Sequence, residues 1–143
     1  MHSFASSVPV RRRGAIAVIV RDRRLLVIRR SASVVAPGAV CFPGGGIEAD
    51  ETEEQALVRE FREELGAPVA PLRRLWQSVT RWEVELSWWL AHLEADAELA
   101  ANPAEVASFH WLTHQEILAE SKLLESNRQF LALVAAGDIR LDR

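Results

Sequence analysis

Apolar and polar positions divide this chain into segments of different period. The stretch GAIAVIVRDRRLLVIRR, residues 14–30, holds two runs rich in Val, Ile and Leu around the charged group RDRR. It predicts two strands joined by a turn. SASVVAPGAVCF, residues 31–42, carries small residues and then Pro37-Gly38, so it reads as a loop. Pro43, Gly44, Gly45 and Gly46 extend that irregular backbone. Val58, Phe61 and Leu65 then share one sector of a helix, with Asp50 or Thr52 as its N-terminal cap. Gly66 stands where left-handed backbone ends a helix. RRLWQSVTRWEVELSWWLAHLE, residues 73–94, reads as two strands with a break near Thr80 to Glu83. VASFHWLT predicts another strand, and HQEILAE and LLESNRQFLALVAAG predict helices, the last of them amphipathic. Strands and helices interleave without a regular βαβ repeat. The expected class is α/β, with a mixed sheet covered by helices on both faces.

Composition narrows the class. The chain has 143 residues, 49% hydrophobic and 26% charged, which suits one packed domain over residues 1–143. Residues 1–10 are expected to be a mobile N-terminal segment. The only cysteine, Cys41, excludes an intramolecular disulfide and fits a reducing compartment. The apolar run GAIAVIV is far shorter than the roughly 20 residues that span a bilayer. MHSFASSVPVRRR has arginines but no following apolar segment with a small-residue cleavage site. The reading is a soluble, cytoplasmic protein with no membrane partner; a short transit peptide stays open on composition.

Charge is unevenly spread. Between Arg11 and Arg30 there are eight arginines and one acid, Asp22; between Glu48 and Glu64 there are eight acids and two arginines. The net charge of -3 argues against binding a nucleic-acid polymer. The acidic stretch is the more informative. At about 100° per residue, Glu60, Glu63 and Glu64 fall within one sector beside the apolar face. Three converging carboxylates suit a hard divalent cation. A salt-bridged surface helix, with Arg59 pairing Glu63 at i,i+4, is the alternative.

The wider stretch FPGGGIEADETEEQALVREFREELGA resembles the Nudix hydrolase box. Gly45, Glu51, Arg59-Glu60, Phe61, Glu63-Glu64, Gly66 and Ala67 stand at the family spacing. Phe61 replaces the usual aliphatic residue, Ala67 is small for the last apolar position, and Asp50 stands where glycine is common. The resemblance implies a Nudix-type α/β/α sandwich and a metal-dependent pyrophosphohydrolase. It implies Mg²⁺ (or Mn²⁺) held by Glu60, Glu63 and Glu64 with the Gly44 carbonyl. It implies an Arg59–Glu51 ion pair that orients the glutamates, with Glu60 or a later carboxylate as general base. Gly44 and Gly45 would let the backbone approach metal and phosphate.

VIRRSASVVAPGAVCFPGG is similar to the corresponding stretch of the MutT-like branch of the family, which implies that Arg30 contacts substrate. LLESNRQFLALV resembles the segment in which an asparagine reads an oxidised purine, here Asn127. NPAEVASFHWLT has the shape of the loop that often supplies a further ligand, here Glu105; exposed loop charge is the other reading. Glu83 and Glu85 are weaker candidates. The expected partner is a small nucleotide, with oxidised purine nucleoside triphosphates first. Other triphosphates, ADP-ribose and dinucleoside polyphosphates stay open, as do a non-catalytic Nudix-fold binding module and a homodimer. The five tryptophans read chiefly as core or interface, with base stacking the alternative. Cys41 lacks a supporting histidine, and His92, His110 and His114 show no common metal spacing.

Overall fold

The computed structural model describes residues 11–143; the expected mobile segment 1–10 lies outside the described residues. Its elements are β1 (Arg12–Val18), β2 (Val20–Arg21), β3 (Arg24–Arg30), β4 (Val40–Cys41), β5 (Gly44–Gly46), α1 (Glu53–Leu65), β6 (Ala70–Val79), β7 (Val84–His92), β8 (Val106–Leu112), α2 (His114–Leu118) and α3 (Glu125–Ala135).

One sheet has the order β5-β1-β7-β6. It is mixed: β1 runs parallel to β7 and antiparallel to β5, and β6 closes an antiparallel hairpin on β7. In the second sheet β3 pairs antiparallel with β8 along one edge, and with β2 and β4 along the other. The β2–β3 hairpin turns through Asp22 and Arg23, both at positive φ (51° and 63°). Two calls change. The glycines expected as irregular backbone form β5, with Gly44 opposite Ile16 and Gly46 opposite Gly14. Val40–Cys41, expected within a loop, forms β4. Both strands are too short to give a periodic signal of their own.

Trp88 and Trp89 alternate across β7 and mark the two layers. Trp88, fully buried, packs with Val18, Phe42, Phe130 and Leu131 beneath α3. Its ring stacks on Phe130 at 4.8 Å. Trp89, half-buried, lies against the cluster of Ala15, Ala17, Leu57, Phe61 and Leu65 beneath α1. Each large side chain so buried contributes roughly 1.5–3 kcal/mol relative to exposure. Helices therefore cover both faces, as an α/β/α sandwich requires. Among the described residues no helix is long and apolar enough to cross a membrane.

Candidate active site

Helix α1 carries most of the acidic residues, and it is held at both ends. At the start, the Thr52 hydroxyl accepts from Gln55 N at 3.1 Å and the Gln55 side chain accepts from Thr52 N at 2.9 Å. This capping box chooses Thr52 over Asp50. Glu53, in the first turn, is buried and accepts from Arg74 Nε (3.0 Å), Arg74 Nη2 (2.6 Å) and Trp89 Nε1 (2.8 Å). Burial opposes its ionisation, but these donors outweigh it and hold the carboxyl below its ordinary range. At the far end Gly66 adopts φ 69°, and the Leu65 and Glu64 carbonyls accept from Ala100 N and Asn102 N, both at 2.9 Å.

Between these anchors, oxygens of Glu60, Glu64 and Glu105 lie within 4.8 Å of one another. Glu64 is only 4% exposed. Burial first, and then Glu60 and Glu105 beside it, push its carboxyl up to about 8, against a lowering hydrogen bond from Gly44. Burial also raises Glu60, despite the opposing contact with Arg59. Three facing carboxylates with hard oxygen donors fit a divalent cation. Gly45 belongs to the same cradle, because a Cβ there would run into the Glu60 carboxylate.

Arg59 is the hub of the remaining expected residues. Its Nε donates to Glu51 Oε2 at 2.6 Å and its Nη2 to Glu51 Oε1 at 2.8 Å, a two-pronged pair. The same guanidinium reaches Gly46 O at 2.9 Å and Glu60 Oε1 at 3.0 Å. The Arg59 bond, helped by the Glu48 amide, holds Glu51 down at about 2. Helix, glycine strand and Glu51 loop are thus joined through one side chain.

Not every expected ligand enters the set. Glu63 is half-exposed and pairs at 3.3 Å with Arg59 Nη1, the nitrogen that also reaches Glu60, so it stands beside the three-carboxylate group and outside it. Glu105, expected as a further ligand, meets Glu60 and Glu64 from the loop before β8. Gly44, expected to offer its carbonyl, makes its contact through N–H, which donates to Glu64 Oε1 at 3.0 Å. Glu83 and Glu85 pair with Arg11 and Arg13 instead.

A cleft of about 440 Å³ borders this cluster through Gly44 and Gly45, and Ile16, Phe42, Leu86, Leu124, Arg30 and Asn127 help to line it. Arg30 is steered by a 2.6 Å bond from its Nε to Val35 O. Asn127 is buried in the first turn of α3, at 3% exposure. Its Oδ1 accepts from Phe42 N at 2.9 Å and its Nδ2 donates to Ser126 Oγ at 3.2 Å. The amide therefore already holds two partners within the fold, which leaves one N–H and one oxygen lone pair beside the cleft that it lines. No tryptophan lines this cleft. Cys41 does line it, and burial pushes its thiol up to about 11, which suits packing and not nucleophilic attack.

Sequence reasoning missed Asn102 and the Glu53 anchor. Asn102-Pro103 signals a turn, but nothing local in either segment says what the side chains touch.

The NUDIX domain family model matches residues 10–134. The chain is 35% identical over 130 residues to CTP pyrophosphohydrolase of Escherichia coli K12, covering 84% of this chain and 91% of that protein. It is 42% identical over 53 residues to 8-oxo-dGTP diphosphatase of the same organism, covering 36% of this chain and 41% of that one. Among solved structures, a MutT NUDIX hydrolase from Burkholderia pseudomallei superposes with a TM-score of 0.71 at 27% identity, covering 88% of this chain and 99% of that one.

Proposed function

Because this chain belongs to the NUDIX domain family of hydrolases, we propose that it is a divalent-metal-dependent pyrophosphohydrolase that splits a nucleoside triphosphate into monophosphate and pyrophosphate. The observation that carries this reading is the meeting of Glu60, Glu64 and Glu105 within 4.8 Å, at the border of a cleft lined by an arginine and an asparagine. The cleft volume of about 440 Å³ falls in the range of small-ligand sites.

Each part has a task. The apolar walls, Ile16, Phe42, Leu86 and Leu124, take the nucleobase. The spare Asn127 N–H donates to a base carbonyl. Arg30 sits where cleft and Glu64 meet and compensates phosphate charge. Gly44 and Gly45 let strand β5 approach the phosphates without a Cβ in the way. A bound Mg²⁺ supplies Lewis acidity and a template for the phosphoanhydride. Glu60, placed by Arg59 at the edge of the cluster, takes the proton of the attacking water as the P–O bond to the leaving group breaks. Arg59 and Glu51 fix the side of the helix from which Glu60 acts.

For the base we favour cytidine triphosphate. The relative named for CTP matches along 84% of this chain, whereas the 8-oxo-dGTP relative matches along 36%. The cleft walls come from β1, β7 and α3, outside the acidic box, so similarity along the whole chain bears more on the base. The oxidised purine triphosphate is the second reading, supported by Asn127 and the Arg30 segment; both bases offer a carbonyl to the same N–H. A panel of CTP, dCTP, dGTP, 8-oxo-dGTP, ADP-ribose and a dinucleoside polyphosphate with Mg²⁺, with products identified, tests this. Monophosphate and pyrophosphate from CTP, ahead of the others, is the expected result. Cleavage of ADP-ribose alone would overturn the triphosphate reading, and no turnover of any of them would favour a binding module.

A further inference from the structure

Resting on the divalent-cation reading above, we propose that Asn102 is a positioning residue that ties Glu105 to the helix carrying Glu60 and Glu64, and so sets the geometry of the cation site. Glu105 comes from a loop, and a loop carboxylate is useful in a rigid site only if something fixes it against the helix. Asn102 makes that connection with its backbone and side chain together. Its N–H donates to Glu64 O at 2.9 Å. Its Nδ2 donates to Glu63 O at 3.1 Å and to Glu105 Oε2 at 3.3 Å. Its Oδ1 accepts from Ala104 N at 3.1 Å, and its carbonyl accepts from Glu105 N at 2.9 Å and Val106 N at 2.7 Å.

One amide thus caps the last carbonyls of α1, shapes the turn and holds the ligand carboxylate. The other side of the loop is fixed independently. Ser31 N donates to Glu105 O at 3.1 Å, and the Ser31 and Ser33 hydroxyls donate to Ala104 O at 3.1 and 3.0 Å. The serines place the Glu105 backbone from the end of β3. Among the described residues, Asn102 alone donates a hydrogen bond to the Glu105 carboxylate. A donor to a ligating carboxylate orients it and reduces its freedom, and loss of such a partner typically weakens metal binding about 10–100-fold.

The test is Mn²⁺ binding to the full chain by electron paramagnetic resonance, with thermal unfolding of the same samples. The variants are Asn102→Ala, Asn102→Asp, Ser33→Ala, Glu105→Gln and Glu64→Gln. Asn102→Asp keeps the acceptor for Ala104 N and the backbone contacts, so it preserves the turn while replacing the donor to Glu63 O and Glu105 Oε2 by an oxygen that repels both. Both Asn102 variants are expected to weaken Mn²⁺ about 10–100-fold. Ser33→Ala, which loosens the loop without touching the carboxylate, is expected to stay within about threefold. Asn102 variants that bind Mn²⁺ like the wild type, while Glu105→Gln binds weakly, would overturn the positioning role and leave the cation site standing. Wild-type binding in Glu105→Gln and Glu64→Gln would remove the cation site, and the proposal with it.

Discussion

Gly44 donates its backbone N–H to the Glu64 carboxylate at 3.0 Å, and this bond joins the glycine strand to the helix at the most buried carboxyl of the cluster. The bond lowers the Glu64 carboxyl only partly against burial, which still leaves it near 8 from an ordinary 4.5. Between those values the unfolded chain has released its proton while the folded chain keeps it. The cation-free protein therefore loses stability as pH rises from about 4.5 to 8.

Glu64→Gln is expected to separate stability from function. The amide oxygen still accepts from Gly44 N, and no buried charge forms. Thermal unfolding without divalent cation should show the variant at least as stable as wild type at pH 8, with the difference shrinking toward pH 5. Hydrolysis with saturating Mg²⁺ should fall by at least about a hundredfold, the scale of losing an electrostatic catalytic group. A variant that hydrolyses normally would contradict the role given to Glu64.

Arg59→Lys should lower cation affinity and turnover together. Lysine cannot copy the two-pronged pair with Glu51 while also reaching Gly46 O and Glu60. The pair also shapes acid stability. The depressed Glu51 carboxyl contributes stability that is fully present above about 4.5 and lost as pH falls toward about 2. Acid unfolding curves should accordingly show a smaller pH dependence in this window for the variant. Unchanged cation affinity and turnover would reduce Arg59 to a surface contact.

Neighbouring glycines should respond differently to the same change. Gly45→Ala puts a methyl group into the Glu60 carboxylate, whereas a Cβ at Gly46 meets only Arg13 O, at 4.0 Å. Mn²⁺ titrations and steady-state rates should show a large loss for Gly45→Ala and near wild-type behaviour for Gly46→Ala. Equal tolerance at both positions would mean that Glu60 does not need its observed place.

Asn127→Ala is expected to do two things. It strands the buried Phe42 N–H, which costs about 1–3 kcal/mol and is read in denaturant unfolding. It also removes an amide that lines the cleft, so KM should rise more for CTP and 8-oxo-dGTP than for a triphosphate whose base lacks a suitably placed carbonyl. Arg30→Ala should weaken all triphosphates alike. An equal effect of Asn127→Ala on every base would confine that residue to its structural bond with Phe42.

Local chemistry carried a good part of this protein. The alternation of Val, Ile and Leu, the Thr52 to Gln55 cap, the Gly66 stop and the break at Thr80 to Glu83 are short-range features, and each element appears where its pattern places it. Helical periodicity likewise put Glu60, Glu63 and Glu64 in one sector, and the resemblance to the Nudix box pointed to the Arg59–Glu51 pair that the fold contains. The rest depended on partners distant in the chain. Only the fold turned the glycine run into β5, because its hydrogen bonds come from β1, some thirty residues earlier. Only the fold brought Glu105 to Glu60 and Glu64, since helical angles cannot say which loop will cover the edge of a helix. Likewise, Asn127 accepts from Phe42 N, 85 residues away, so a motif position could suggest the residue but not the backbone group that its amide holds.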